Sequence, residues 1–445
     1  MHVFPQLRRL EEKYRDELVV IGVHSAKFPA ERELNNLRKA VLRYRIEHPV
    51  VNDGGFQIFQ QYACRAWPTI YMIDPTGKVM TRYEGEILLE TFDQYLASVI
   101  REFDEDGILD RRPLNFRLEQ EGSSSLYFPG KVLADQESGR LFIVDSNHNR
   151  ILSATLDGQV LQVIGSGDQD FIDGAFDQAC FNTPQGVTLV DNSLYVADTE
   201  NHAIRRVDLE RGFVETVAGN GLQADQFHFG GPALGLALNS PWDLVHYNGT
   251  LYVAMAGFHQ IWGLDLEAQV VTPYAGSGRE GLEDGHKNFA QLAQTSGIAS
   301  DGNILYFVDS ETSSLRQVNV GRNGFVRTIV GSDLFVFGDV DGVGDEVRLQ
   351  HPLAVAYHDG VLYVADSYNH KIKRVFAETR ASNTLFGNGE AGHCDGEGAT
   401  SVQFHEPSGL SVTGGQLFVA DTNNHVIRVA DLATLHVSTL EIRGL

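Results

Sequence analysis

The sequence is poor in cysteine and has no long hydrophobic run. Only three cysteines, Cys64, Cys180 and Cys394, are present among 445 residues, and they lie far apart. An odd, sparse set of thiols excludes a disulfide framework and favours a reducing compartment, so we expect a cytoplasmic protein. No apolar run reaches about 18 residues, which excludes a membrane-spanning helix. No basic segment followed by an apolar one opens the chain, although a signal peptide upstream of Met1 stays open.

Basic residues are also scarce. The chain has 35 Lys and Arg against 59 Asp and Glu, a formal net charge of −24. Such a chain is repelled by phosphate backbones and anionic bilayers, so neither nucleic acid nor a membrane is expected as a main partner. Hydrophobic residues make up 42% of the chain, and its 45 glycines predict many tight turns. A chain of this length is expected to form two or more domains.

Helical and strand patterns alternate in residues 1–110. Apolar residues at helical spacing predict helices in "VFPQLRRLEEKY", "ERELNNLRKAVLRYRI" and "ILLETFDQYLASVIREF". Between them, "LVVIGVHSAKF", "PVVND" and "WPTIYMIDPTGKVMTRYEGE" predict strands, the last as a hairpin around a Pro-Thr-Gly-Lys turn. Alternating elements of this kind predict an α/β layer fold with a mixed sheet.

A repeat replaces the helices from about residue 126 onward. Its first marker recurs every 54–57 positions, at Pro129, Pro184, Pro241, Thr295, Pro352 and Pro407. A second marker follows in phase, as in "YVADTENHAI" and "YVADSYNHKI". Four short strand patterns lie within each period, so residues 126–445 are predicted to form an all-β, six-bladed propeller. Residues 111–125 are the linker, in which Leu114, Phe116 and Leu118 alternate and predict a strand that covers a blade edge.

These motifs resemble known families. The "YVADTENHAIRRVDL" repeat resembles the NHL repeat, and "WPT" with "DPTGK" resembles the cis-proline loop and following hairpin of thioredoxin-like redoxins. Their combination is similar to the NHL-repeat-containing protein 2 family, in which a thioredoxin-like domain precedes the propeller. The resemblance implies a cis bond before Pro68 and a substrate groove bordered by Trp67, Pro68 and Thr69. It also implies a C-terminal β domain, which would follow Leu445.

The resemblance further implies a redox motif. Thioredoxin-like folds carry C-x-x-C at the N-terminus of a helix, where the helix dipole stabilises a thiolate. In that pattern a proline follows the second cysteine by five residues, and counting back five from Pro5 lands before Met1. We therefore expect this chain to lack the first strand and both cysteines of the motif. Cys64 then has two interpretations, a thiol beside the groove or a buried packing residue, and a single thiol cannot carry out dithiol exchange.

An acidic and a basic position recur within the propeller. The acids end the second strand of five blades: Asp145, Asp198, Asp309, Asp366 and Asp421. The bases follow four of these acids by seven residues: Arg205, Arg316, Lys373 and Arg428. Blade three has Met255 and Trp262 at the two positions. This joint loss predicts that acid and base are structural partners, here called the Asp–Arg ladder, and not catalytic groups.

Blade three and the loop before it carry ring-bearing side chains on the face where second strands end: Phe227, Phe229, Trp242, Phe258, His259 and Trp262. Aromatic residues outside a repeat pattern often anchor partners, so these residues are candidates for binding a protein or peptide. They equally suit a packing role, in which they fill the space left by the missing acid and base.

No metal or cofactor is predicted. The histidines at one repeat position, namely His202, His259, His370 and His425, are related by rotation about the propeller axis and do not converge on a metal. "DVDGVGDE" at 339–346 resembles the start of a calcium loop. It lacks the glutamate at the twelfth position, and Asp-Gly recurs at the same place in other blades, which indicates a turn.

Three functions stay open. The favoured one is a non-catalytic binding or scaffold protein that uses the propeller rim, with a tethered thioredoxin-like module. The second is a thiol-disulfide oxidoreductase in the full-length form, with the propeller recruiting clients. The third is a propeller hydrolase or lyase, for which the first strands offer His246 and His358 but no repeated acid–base set.

Overall fold

The computed structural model describes residues 3–85, 89–112, 114–224 and 229–445. The chain forms two compact units, Met1–Ser123 and Ser124–Leu445. No described helix combines the length and the apolar character needed to cross a bilayer.

The first unit alternates helices and strands, as predicted. Its helices are α1 (Val3–Lys13), a 3₁₀ turn (Pro29–Arg32), α2 (Leu34–Arg43), α3 (Gln57–Gln61) and α4 (Leu89–Glu105). Its strands are β1 (Gly22–His24), β2 (Val50–Asn52), β3 (Thr69–Ile73) and β4 (Val79–Glu84). The apolar stripes of α1 and α4 form the core, since Leu10 and Leu96 are buried together and Ile70 and Met72 of β3 pack against them.

The strands of the first unit form two separate sheets. Strand β1 pairs in parallel with β2, and β3 pairs antiparallel with β4. Among the described residues, neither β1 nor β3 has a partner strand on its other edge. The predicted single mixed sheet is therefore present as two two-stranded halves, and the apolar side chains of Val23 and Ile73 beside these edges are 42% and 48% exposed.

The segment before the second unit differs from the prediction. Residues 114–119 belong to no helix or strand, so the predicted linker strand does not form. The segment is instead held to α2 by ion pairs that Arg38 and Lys39 make with Glu119 and Glu121. Alternation of apolar residues misled the prediction, because these side chains are about half exposed and do not mark one face of a paired strand.

The second unit is the predicted six-bladed propeller. Blade one consists of Val132–Asp135, Arg140–Asp145, Arg150–Thr155 and Val160–Ile164; blade two of Gly186–Val190, Ser193–Asp198, Ala203–Asp208 and Phe213–Ala218; blade three of Pro241–Tyr247, Thr250–Met255, Gln260–Asp265 and Val270–Ala275. Blade four consists of Thr295–Ser300, Ile304–Asp309, Ser314–Asn319 and Phe325–Val330; blade five of Ala354–His358, Val361–Asp366, Lys371–Phe376 and Ala381–Phe386; blade six of Pro407–Thr413, Gln416–Asp421, Val426–Asp431 and His436–Leu440. All neighbouring strands within a blade are antiparallel, and the apolar faces of adjacent blades pack on one another.

Short strands from the loops between blades extend five of the six sheets. Each pairs with the fourth strand of the blade that follows it: Gly174–Ala175, Gly231–Pro232, Gly285–His286, Gly342–Val343 and Gly396–Glu397. The sheet of blade one has no such short strand among the described residues. Its fourth strand contacts the C-terminal segment instead, where the N–H of Val160 donates to the carbonyl of Arg443 over 2.9 Å. The C-terminal segment therefore closes the ring at the outer strand.

The first strands approach one another closely around the axis. A Cβ added to Gly186 would lie 2.6 Å from the Cα atom of Asp243 in the next blade, and one added to Gly409 would lie 2.3 Å from the carbonyl oxygen of Gly130. Any side chain at these positions would collide with a neighbouring backbone, which explains the recurrent glycine after the marker residue.

Candidate functional site

A four-membered hydrogen-bond network occupies the place of the Asp–Arg ladder. In blade two, the Arg205 guanidinium donates to Asp198 over 2.8 Å and to Asp173 of the preceding loop over 2.8 Å. Thr216 of the fourth strand donates its N–H and its hydroxyl to the same Asp173, at 3.0 and 2.9 Å. The side chains of Asp198 and Arg205 are fully buried. The network therefore ties the hairpin to the loop before its blade.

Blades four and six repeat this network. Its members, in the same order, are Asp309, Arg316, Asp284 and Thr328 in blade four, and Asp421, Arg428, Asp395 and Thr439 in blade six. The recurrent Asp-Gly turn thus supplies a carboxylate to the ladder as well as a change of direction. In blade one, Leu152 holds the basic position, and Asp145 accepts from the side chain of Arg150 over 2.8 Å instead.

Blade three has none of the four network residues at the corresponding positions. Met255, Trp262, Gly230 and Pro273 occupy them in register. Trp262 is fully buried, its ring stacks on Phe258 with centroids 5.3 Å apart, and its indole N–H is satisfied within the same strand. An apolar plug therefore replaces a charged network.

This burial corrects part of the predicted binding surface. Phe258 and Trp262 are interior side chains and cannot line the rim. Trp242 and His259 are half-buried, and His259 Nδ1 accepts the backbone N–H of Gln294 over 3.1 Å. The remaining ring in the described part of this surface, Phe229, is 97% exposed, whereas Phe227 lies outside the described residues.

The recurrent histidines join neighbouring blades. Each accepts a hydrogen bond of 3.0–3.2 Å from a backbone N–H just before the first strand of the next blade, and Asn149 and Ser313 do so where histidine is absent. The six acceptors are Asn149, His202, His259, Ser313, His370 and His425, and their donors are Thr183, Ser240, Gln294, His351, Glu406 and Phe128. All twelve residues are left-handed, with φ between 48° and 59°. These contacts, called here the inter-blade hydrogen bonds, run around the whole ring.

One ion pair joins two blades that are not neighbours. Lys131 of blade one binds Asp243 of blade three, and both side chains are largely buried. Asp243 also accepts the backbone N–H of Ile298 in blade four over 3.2 Å. The pair was missed in the sequence, where the only signal is a charged residue in two repeats at a position that is Gly or Ala in the other four.

The predicted groove of the first unit brings its residues together. The Trp67–Pro68 peptide bond is cis. The Trp67 ring is half exposed and stacks on Phe59 at 5.1 Å, while its indole N–H donates to the carbonyl of Ser25 at the end of β1 over 2.8 Å. Thr69 Oγ1 turns back to the carbonyl of Ala66. Cys64 is half-buried and lies beyond the end of α3, not within it.

The described residues contain no cluster of side chains suited to a metal. In the calcium-like segment at 339–346, the carboxylates of Asp339 and Asp341 both accept hydrogen bonds from the ammonium of Lys373, at 2.7 and 2.8 Å. His246 and His358, the candidate catalytic histidines, lie on different blades and bind local partners, the N–H of Gly249 and the carboxylate of Asp359.

Comparison with known proteins gives strong similarities. Residues 181–206 and 404–430, in blades two and six, match the NHL repeat. The whole chain is 43% identical to Protein SUPPRESSOR OF QUENCHING 1, chloroplastic, of Arabidopsis thaliana, and 99% of it is 40% identical to NHL repeat-containing protein 2 of Bos taurus. The chain spans 44% of the plant protein's length and 66% of the bovine protein's length. A 95-residue stretch, 21% of the chain, is 28% identical to thiol-disulfide oxidoreductase ResA of Bacillus cereus and covers 53% of that protein.

Proposed function

Because the chain belongs to the family of NHL repeat-containing protein 2, we propose that its propeller is a protein-binding scaffold that recognises a partner through the loops between its blades. The thioredoxin-like first unit is, in this proposal, a tethered module and not the source of catalysis by this chain.

Exposed apolar side chains on the loops carry the proposal. Leu222 and Phe229, on the loop between blades two and three, are 59% and 97% exposed, and Phe335, on the loop between blades four and five, is 66% exposed. Exposed apolar side chains can mark a surface that contacts another protein, and aromatic rings are frequent anchors of such contacts. Each of these two loops is anchored at its end by an inter-blade hydrogen bond, from the N–H of Ser240 to His202 and from the N–H of His351 to Ser313.

The charge of the propeller favours a basic partner. Residues 124–445 contain 18 Lys and Arg against 39 Asp and Glu, a formal net charge of −21, whereas residues 1–123 carry only −3. Five of the 18 basic side chains, Lys131, Arg205, Arg316, Lys373 and Arg428, are buried in ion pairs with acids that are also counted, so the acidic excess lies among the other charged side chains. An acidic surface attracts a basic protein or peptide and speeds its association.

A matched pair of variants tests the proposal. Phe229→Ser with Phe335→Ser removes loop rings. Leu161→Ser with Val163→Ser is the control and removes exposed apolar groups from the outer strand of blade one. Captured proteins are compared by quantitative mass spectrometry, with thermal unfolding as the control for folding. We expect basic proteins to be lost from the loop variant alone, and their binding to fall as salt increases. Equal capture by the two variants would refute the loop surface.

Thiol-disulfide exchange is a second candidate, favoured by the similarity to ResA. Cys64 is the sole cysteine of residues 1–123, so exchange at this unit would require a thiol from elsewhere. The cytoplasmic location stays a prediction from the sparse thiols, and the chloroplast is named for the plant relative alone.

A further inference from the structure

Blade five contains a variant of the ladder in which the cation faces away from its acid. Its basic residue is Lys373 in place of arginine. The ammonium donates to Asp339 over 2.7 Å, to Asp341 over 2.8 Å and to Thr384 over 2.9 Å. An ammonium has three N–H bonds, so none is left for Asp366.

Asp366 is therefore a buried carboxylate that no cation in the described part of the chain contacts. Its side chain is fully buried and accepts two hydrogen bonds, from the Gln350 backbone over 2.7 Å and from the Asn369 amide over 2.8 Å. The matching acid of blade two, Asp198, has the same two kinds of donor and a guanidinium in addition. A planar guanidinium spans both acids of its network, which one ammonium does not do here.

The charged and titratable groups around Asp366 do not balance it. On the third strand, Lys371 binds Asp339 and Lys373 binds Asp339 and Asp341 of the preceding loop. His351 of that loop stacks on Tyr368 of the hairpin, and His405 of the following loop packs edge-on against His370. His370 is neutral, because burial lowers its pKa to about 4 and its Nδ1 accepts the N–H of Glu406. Two ammonium groups thus face three carboxylates.

Burial accordingly raises the pKa of Asp366 to about 7; Lys373 opposes this rise, and the charge of Asp339 adds to it. Burial also raises the pKa of Asp198 and Asp421, and at both sites a guanidinium in direct contact opposes the rise. The contact geometry is therefore what sets blade five apart from blades two and six.

We propose that Asp366 takes up and releases a proton in the neutral pH range, and that this exchange controls how firmly blade five holds the loop before it. The link to the loop is Asn369. Its amide N–H group donates to Asp366 and, over 2.6 Å, to the carbonyl of Gly338, while its oxygen accepts from the Gln350 amide over 2.7 Å.

Protonation changes what Asp366 requires of this amide. A protonated Asp366 must donate its new O–H. The side-chain amide of Asn369 can accept it after a rotation that exchanges the positions of its oxygen and its NH2 group. The rotation breaks the hydrogen bonds of Asn369 to the Gly338 carbonyl and to the Gln350 amide and forms one hydrogen bond with the protonated Asp366. A proton from solvent therefore loosens the loop at residues 331–341, and its loss fastens the loop.

The effect on global stability has a defined sign. The folded-state pKa lies above the usual value of 3.8, so the folded chain binds more proton than the unfolded chain between about pH 4 and pH 7. The contribution of Asp366 to stability therefore falls as the pH rises through this window and is constant above it.

Three single variants of the full chain test the proposal by thermal unfolding at pH 5 and pH 8. Asp366→Asn removes the titration, and Lys373→Arg restores a guanidinium that reaches the acid. We expect Asp366→Asn and Lys373→Arg each to raise the melting temperature of the propeller relative to the unmodified chain. The rise should be about 2–4 °C at pH 8 and clearly smaller at pH 5. Asp421→Asn is the control, which should lower it at both pH values.

Hydrogen exchange of residues 331–341 gives the local readout. After correction for intrinsic rates, this loop should exchange faster at pH 6 than at pH 8 in the unmodified chain, and at equal rates in Asp366→Asn. An unaltered pH dependence of unfolding and exchange in Asp366→Asn would overturn the proposal.

Discussion

Asp198 and Arg205 are both fully buried, so neither can regain water when the other is removed. We predict that Asp198→Ala destabilises the propeller by about 3 kcal/mol, because it removes one of the two carboxylates that bind the buried Arg205 guanidinium and leaves an N–H of that group without its acceptor. Urea unfolding measures this loss. Asp168→Ala, at an exposed acid of the neighbouring loop, is the control and should change stability by less than about 0.5 kcal/mol. A loss of partner affinity without destabilisation would contradict the structural role of the ladder.

Cys64 permits a second prediction on a single residue. It is the sole thiol of residues 1–123 and lies half-buried outside the preceding helix. We expect the purified chain to reduce insulin no faster than buffer, because dithiol exchange needs two thiols. Turnover above background that disappears in Cys64→Ser, but not in Cys394→Ser, would show that this unit is catalytic in a way the sequence does not predict.

The repeat made some residues predictable and hid others. It exposed the ladder because acid and base keep one spacing and vanish together in blade three. The same pattern led to the wrong prediction that Phe258 and Trp262 are exposed. A repeat shows at which end of a strand a residue lies, but it does not show whether the side chain points inward. The loss of a loop acid and a threonine in the same blade, at Gly230 and Pro273, is the signal that would have indicated an apolar replacement.

At the scale of the element, the junction between blades depends on the inter-blade hydrogen bonds. His202→Ala leaves the buried N–H of Ser240 without its acceptor, which should cost about 1–3 kcal/mol. His202→Asn should retain most of the stability, because Asn149 makes the same bond between blades one and two and asparagine tolerates a left-handed backbone. Thermal unfolding compares the two variants. Equal destabilisation by Ala and Asn would contradict the assigned bond.

The strand pattern of the first unit was correctly predicted, but its sheet was not. Short apolar runs identify β1 and β3, whereas the sequence does not show which strand edges meet. The structure leaves one edge of each without a strand among the described residues. The prediction for residues 114–119 was wrong for a related reason, since alternation indicates a strand only where a partner backbone is available.

At the scale of the whole molecule, closure of the ring was predictable from six repeats in phase, and contacts between blades that are not neighbours were not. Lys131 and Asp243 are 112 residues apart in non-adjacent blades, so no local pattern or neighbour rule joins them. Their pairing depends on the radius of the ring, which brings the first strands of blades one and three within reach of each other past blade two.

The two units differ in the way they are stabilised, and we predict that they unfold separately. The propeller is a closed ring whose blades share apolar faces and hydrogen bonds. The first unit has a small core, and among its described residues the strands form only two-stranded sheets, which are marginally stable by themselves. Calorimetry should show two transitions, with residues 3–123 unfolding at the lower temperature. Limited proteolysis just below that transition should leave a resistant fragment beginning near Ser124. A single transition, or a fragment that retains α1 and β3, would contradict this order of unfolding.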